Sequence, residues 1–230
     1  MKTIGILGGM SWESSSQYYA LINKGVRDHL GGIASAKILM HSFDFSEIAR
    51  RQAEGEWEAL GDQLGAAAAS LEHAGAKALL IATNTMHLVA PQVEAAISVP
   101  LLHIADPLSA ALKAAGHERV GLLATRFTME QSFYADQLAE HGIETVIPDE
   151  SEREELHRII FEELCAGEIC EASQNFSSVV IERMQARGVP AIALACTELM
   201  LLIKPESSAL PLFDTTALHC DAAVEFALSD

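Results

Sequence analysis

Two short stretches of the chain carry residues suited to proton chemistry. One is 82-ATNTMH-87 and the other is 195-ACTEL-199. Each closes an apolar run, 78-ALLIA-82 and 191-AIALA-195, of the kind that forms a buried strand. Thr83 and Cys196 therefore stand just past strand ends, where a helix is due to begin. A helix N-terminus lowers a thiol pKa from about 8.5, which favours thiolate at Cys196. Asn84, Thr85 and Thr197 add side-chain donors beside backbone N–H groups that are free at a helix start. Such an arrangement suits a carboxylate. A thiolate facing a small acid attacks a carbonyl or removes a proton. Taken singly, Thr83 reads as a helix N-cap and Cys196 as a small buried hydrophobe.

An internal repeat changes that balance. The stretch 75-GAKALLIATNTMH-87 aligns with 188-GVPAIALACTELM-200 at an offset of 113. In that alignment Thr83 meets Cys196 and Thr85 meets Glu198. The stretch 4-IGILGGMSWESSSQYY-19 aligns with 120-VGLLATRFTMEQSFYA-135 at an offset of 116. A third pair, 100-PLLH-103 with 211-PLFD-214, follows at 111. Three matches in one order and at nearly one offset imply duplication. Thr83 and Cys196 then occupy equivalent places in two halves.

The elements that would position them alternate along the chain. Apolar strands are expected at 3–7, 36–40, 77–82, 100–104, 119–124, 144–147, 190–195 and 210–213. Amphipathic helices are expected at 13–30, 56–74, 128–141, 152–165, 171–187 and 216–228. Near-continuous apolar strands alternating with helices predict parallel sheets covered by helices. The fold class is α/β, with two pseudo-symmetric parallel-sheet domains and the active site in the cleft between them. Residues 1–104 plus 211–230 form the first domain and 105–210 the second. The fourth strand unit of each half, 100–104 and 210–213, is a candidate to cross into the other half. Ligands of open parallel sheets bind beyond the strand carboxyl ends.

Two further strand ends face the same region. Gly8-Gly9-Met10-Ser11 reads equally as a tight turn or as an anion nest of backbone N–H groups. Its G-x-x-G-G spacing is not a dinucleotide fingerprint. At Ala124-Thr125-Arg126, Thr125 is the better ligand candidate and Arg126 faces solvent. His87 lies one helical turn after Thr83; its simplest reading is an exposed or capping histidine.

Composition narrows the function class. The net charge is −17, which repels phosphate backbones, and Arg50-Arg51 is the one adjacent basic pair. Nucleic acid is not an expected partner. No apolar run approaches the ~18 residues of a membrane span, and the N-terminus lacks a signal-peptide pattern. A cytoplasmic location is expected. Cys165, Cys170, Cys196 and Cys220 form no C-x-x-C pair and no zinc-ligand spacing with histidine. Neither a disulfide framework nor a metal site is expected.

The motifs 5-GILGGMSWESS-15, 84-NTMH-87 and 195-ACTEL-199 resemble those of the aspartate/glutamate racemase family. The resemblance extends over the whole chain through 43-FDFSEI-48, 55-GEW-57, 158-RIIFEEL-164 and 213-FDTT-216. It implies a cofactor-independent racemase, homodimeric, with two cysteines facing each other across the substrate α-carbon. One cysteine removes the α-proton as thiolate and the other returns a proton to the opposite face. Cys196 matches the second cysteine, whereas Thr83 replaces the first, as in enterobacterial-type members. Because a hydroxyl is a far weaker acid than a thiol, slow or direction-biased racemisation is expected. The resemblance also implies substrate contacts from Met10, Gln52, Asn84, Thr85, Thr125 and Thr197. Some family members carry a lysine near Cys165 for the side-chain carboxylate, and this chain has no Lys or Arg from 159 to 182. The rivals are a related hydantoin racemase, maleate isomerase or arylmalonate decarboxylase, and a small-acid-binding protein with little turnover.

Overall fold

The computed structural model describes residues 1–229. The chain divides into two compact units, Met1–Ile104 with His219–Asp230 and Ala105–Leu218.

The first unit opens with β1 (Ile4–Gly8), α1 (Trp12–Leu30) and β2 (Ile38–Ser42), followed by α2 (Phe45–Glu54), α3 (Trp57–His73) and β3 (Ala78–Ile81). A 3-10 turn over Thr85–Val89 and a short α4 (Ala90–Ala95) follow. The sheet is parallel in the order β2-β1-β3. Residue alternation along its strands divides the core into two faces. Ile4, Ile6, Ala78 and Leu80 pack with Tyr18, Ile22 and Val26 of α1. Leu7, Leu79 and Ile81 pack on the other face with Leu60, Leu64, Ala68 and Leu71 of α3. Strands buried on both faces read as continuous apolar runs, which is why they were visible in the sequence.

The second unit contains α5 (Ala105–Ala114), β4 (Arg119–Ala124), α6 (Arg126–Glu130), α7 (Ser132–Glu140) and β5 (Glu144–Val146). It continues through α8 (Glu150–Arg158), α9 (Glu171–Ala186), β6 (Ile192–Ala195), α10 (Leu199–Leu202) and β7 (Leu212–Asp214). Its sheet is parallel in the order β5-β4-β6-β7. The last helix, α11 (Thr215–Leu228), begins in this unit and carries the chain back to the first. Its Cys220, Ala223, Val224 and Ala227 join the core face formed with α1.

Both sheets share one strand order, with β1 and β4 in the same place and β3 and β6 in the same place. The fourth strand units do not change sheets. Leu101 makes a single parallel bridge to Leu79 within the first unit, and β7 pairs with β6 from Ile192–Leu212 onward. Backbone pairing therefore keeps β7 with the second sheet, and the two compact units divide after Leu218.

Two expected helices are interrupted. The 128–141 helix is divided at Gln131, whose backbone is extended at φ −85° and ψ 146°. The 152–165 helix passes from α8 into a π turn at Ile159–Glu163 and a 3-10 turn at Leu164–Ala166. The unanticipated α2 is bounded by local chemistry. Asp44 accepts a hydrogen bond from Ser46 N at 2.9 Å, and Gly55 stops the helix in the left-handed region at φ 74°.

Candidate active site

In the first unit, β1 and β3 lie side by side and their carboxyl ends emerge together. Ala82 N–H still donates to Leu7 O at 2.9 Å, one step past the ladder. Gly8-Gly9-Met10 and Thr83-Asn84-Thr85 are thereby brought to one edge of the sheet. Gly9 has φ +81°, and a Cβ there would lie 2.5 Å from Phe43 N and 2.7 Å from Ser42 Oγ. Only glycine fits. Gly9 N–H donates to Ser15 Oγ at 2.7 Å, and that hydroxyl donates to Ser11 O at 2.9 Å. With the Gly9 donor engaged by Ser15, this turn reads as a packing device rather than an anion nest. Met10 is buried and belongs to the core face under α3.

Gln52 enters the same region from α2. It is buried, and its Nε2 donates to Met86 Sδ at 3.0 Å. The neighbouring arginines point elsewhere, Arg51 to Glu47 at 2.9 Å and Arg50 to Glu54, both on the helix surface.

Thr83 is half-buried, while Asn84 and Thr85 are buried. Asn84, not Thr83, occupies the cap position of the following turn, and no side-chain cap bond forms there. Thr83 is held through its carbonyl instead, which His87 Nδ1 reaches at 2.9 Å. Ile104 N–H donates to His87 Nε2 at 3.2 Å. Since Nε2 accepts, the imidazole hydrogen sits on Nδ1 and donates to Thr83 O. Burial, with His103 and His219 adding to it, pushes the His87 pKa well below its ordinary value. The His103 ring lies edge-on at 4.5 Å between centroids. His219 is fixed by the same logic. Its Nε2 lies 2.7 Å from Leu102 O, an acceptor only, so Nδ1 accepts from Tyr18 OH at 2.9 Å. His87 is thus a capping histidine as the simplest reading had it, but a buried one rather than an exposed one.

In the second unit, β4 and β6 pair up to Ala124–Ala195, so Thr125 and Cys196 leave neighbouring strand ends. Thr125 caps α6, with Oγ1 accepting from Thr128 N at 3.4 Å and lying 3.2 Å from Thr128 Oγ1. Arg126 is exposed and lies 3.9 Å from Glu130.

Cys196 is 8 % exposed and Glu198 is 5 % exposed. The thiol donates to Glu198 Oε2 at 3.1 Å, and Thr197 Oγ1 donates to the same oxygen at 2.7 Å. Burial first, and then the Glu198 carboxylate, push the Cys196 thiol well above its ordinary range. This corrects the expected resting thiolate. The helix that was to lower the pKa, α10, has four residues, and a full macrodipole needs more aligned peptides. The carboxylate two residues away outweighs it. Glu198 is the residue that sequence reasoning passed over, although the repeat had already set it opposite Thr85.

The structure thus places Met10, Gln52, Thr83, Asn84 and Thr85 about the carboxyl edge of the first sheet, and Thr125, Cys196 and Thr197 about that of the second. Among the described residues, no group of three or more His, Cys, Asp or Glu is arranged to hold a metal ion. No helix among them is long and apolar enough to cross a membrane.

Known proteins align along the whole of this framework. The family model for Asp/Glu/Hydantoin racemase matches residues 7–223. A provisionally named Asp/Glu racemase from Yersinia pestis is 49% identical, with TM-score 0.93 and 100% of each chain covered. An aspartate racemase homologue from Pyrococcus horikoshii OT3 is 34% identical, with TM-score 0.86 and the same full coverage. A glutamate racemase from Latilactobacillus sakei is 27% identical over 134 residues, which are 57% of this chain and 47% of that protein. All eight candidate site residues fall inside the matched range, and the chain belongs to the Asp/Glu/Hydantoin racemase family.

Proposed function

We propose that the protein racemises an acidic amino acid, aspartate or glutamate, by removing and returning the α-proton without a cofactor. Family membership supports amino-acid racemisation in general. One observation carries the finer reading: Thr83 and Cys196 follow the corresponding strands, β3 and β6, of two sheets with the same order over their first three strands. Racemisation needs one proton-transfer group for each face of a single carbon, and a duplicated scaffold supplies two equivalent positions.

In this reading Cys196 takes the α-proton from one face and Thr83 gives a proton to the other, directly or through water. The electron pair left on the α-carbon spreads into the substrate carboxylate. Hydrogen-bond donors placed where that charge develops lower the barrier. Asn84, Thr85 and Thr125 are assigned that role, and Thr197, whose hydroxyl donates to Glu198 Oε2, is assigned to holding the Glu198 carboxylate. Met10 and Gln52 are assigned to shaping the pocket around the rest of the substrate. The Thr83 hydroxyl is a poor base when the reaction runs the other way. Because the two enantiomers have equal free energy, kcat/KM is the same in both directions, and the asymmetry falls on kcat and KM separately, with unequal rates at saturating substrate.

The test is incubation of L- and D-aspartate and L- and D-glutamate with the protein in D₂O, following α-deuteration and chirality separately. Uptake with inversion supports the assignment. Uptake without inversion reduces the activity to one-sided exchange. No uptake with any of the four amino acids removes the acidic amino-acid assignment.

A further inference from the structure

We propose that a second copy of this chain docks on the flank of α1, with the two α1 helices antiparallel about a two-fold axis at Leu21. The inference does not depend on the racemase reading.

Four side chains mark the flank. Trp12, Tyr19 and Leu30 are 68 %, 56 % and 58 % exposed, and Asn23 is partly exposed between them. Single exposed apolar residues are ordinary, but these lie on one line. At 3.6 residues per turn, Tyr19, Asn23 and Leu30 follow Trp12 by close to two, three and five turns. The line runs about 27 Å along the helix at 1.5 Å per residue. Ser16 and Ala20 are small and exposed beside it and leave room for a facing helix. A different face of α1, with Tyr18, Ile22 and Val26, packs on the first sheet.

The spacing along the line is symmetric. Trp12 and Leu30 lie nine positions either side of Leu21, and Tyr19 and Asn23 lie two. A two-fold contact pairs residue i with j and j with i. An antiparallel pair centred at Leu21 therefore sets Trp12 against Leu30 twice and Tyr19 against Asn23 twice. The end of the helix that receives Trp12 also carries a hole. A cavity of about 420 Å³ opens between α1 and the loop after it, with Tyr19, Asn23, Arg27 and Ile33 in its walls. Ile33 is fully exposed there. In the antiparallel pair the Trp12 indole of one copy reaches this cavity in the other, beside the Arg27 guanidinium, a favourable cation–π partner.

Charge selects the occupant and the direction. The chain carries −17, so two copies repel at a distance and a self-contact must be locally complementary. Glu13 stands in the first turn of α1 and Arg27 in its last. Among the described residues Arg27 is the one arginine with no ion pair, and Glu13 has none either. Antiparallel packing about Leu21 brings Glu13 of each copy within about 3 Å, measured along the axis, of Arg27 of the other. A parallel pair would set like charges together.

The experiment is sedimentation velocity of the full chain at about 1–100 μM, the range over which a micromolar dimer dissociates. The wild type is expected to sediment as a dimer. Trp12→Ala is expected to weaken the dimer by about 30-fold or more, the scale of a lost interface anchor. Glu13→Arg and Arg27→Glu each place like charges opposite one another at both ends of the contact, and each is expected to weaken the dimer. The double variant Glu13→Arg/Arg27→Glu is expected to restore it. A wild type that stays monomeric at the highest concentration overturns the proposal. A dimer indifferent to Trp12→Ala lies on another face and overturns it as well. Weakening by both single charge variants without recovery in the double overturns the antiparallel register. Melting curves followed by circular dichroism check that each variant folds. Should Trp12→Ala not fold, Tyr19→Ser replaces it with the same two outcomes.

Discussion

At the scale of single residues, the chemistry turns on what surrounds a sulfur and a hydroxyl. Cys196 was legible as a candidate because it ends an apolar run and meets Thr83 in the repeat. Its protonation state was not, because burial and the direction of the Glu198 side chain are tertiary facts. Thr197 and Glu198 sat in the same quoted motif, yet spacing alone does not say that both converge on one oxygen. Replacing Cys196 with Ser is expected to lower α-deuterium uptake by about 10²–10⁴-fold, the range for a lost acid/base group. Thr83→Cys is expected to raise kcat in the slower direction of racemisation, measured as separate initial rates from saturating L and D substrates. A rate ratio unmoved by Thr83→Cys would count against Thr83 as the second proton-transfer group.

At the scale of elements, the segment after β3 is held by a strut that pattern reading could not see. His87 joins the Thr83 carbonyl to Ile104 N–H, and His219 joins Leu102 O to the Tyr18 hydroxyl. The partners lie 17, 117 and 201 residues away in sequence for the bonds to Ile104, Leu102 and the Tyr18 hydroxyl, so no local periodicity encodes them. The strut makes a pH prediction. The folded His87 pKa lies below the unfolded value of about 6.5, so the unfolded chain takes up the proton first as pH falls. Its contribution to stability is complete above pH about 6.5 and is lost as pH drops from there toward the folded pKa. Melting curves at several pH values across about 5 to 7.5 check this. Wild type is expected to lose stability toward acid more steeply than His87→Gln, and equal slopes would remove His87 as the cause. Elements whose limits depend on single backbone conformations were misread for a related reason. The break at Gln131 and the π turn at Ile159–Glu163 sit inside otherwise helical patterns.

At the scale of the whole molecule, the chain leaves the first unit after Ile104 and re-enters it at His219. The returning residues complete a core begun more than a hundred positions earlier. Cys220, Ala223, Val224 and Ala227 cover one face of the first sheet with α1. Truncation after Leu218 is expected to expose that face and to remove the His219 contacts. Losing the burial of Val224 alone costs about 1.5–3 kcal/mol. At roughly 2–4 °C per kcal/mol for a protein of this size, the lost residues together are expected to lower the melting temperature by about 10 °C or more. Hydrogen exchange is expected to rise first in β1 and β3, and unchanged protection there would show that α11 does not close this core.

The sequence by itself determined the α/β class, the repeat, the strand ends that bear the candidate residues, and the correspondence of Thr83 with Cys196 in that repeat. These are local or periodic properties: apolar runs of strand length, helical spacing, and self-similarity at a nearly constant offset. Only the tertiary structure decided that β7 stays with the second sheet, that Gly9 N–H serves a turn, and that His87 is a buried strut. It also decided that Cys196 faces a carboxylate, which together with burial pushes its thiol well above the ordinary range. Each of those depends on which groups exclude water and which atoms meet across the fold, and neither is written in the order of residues along one strand.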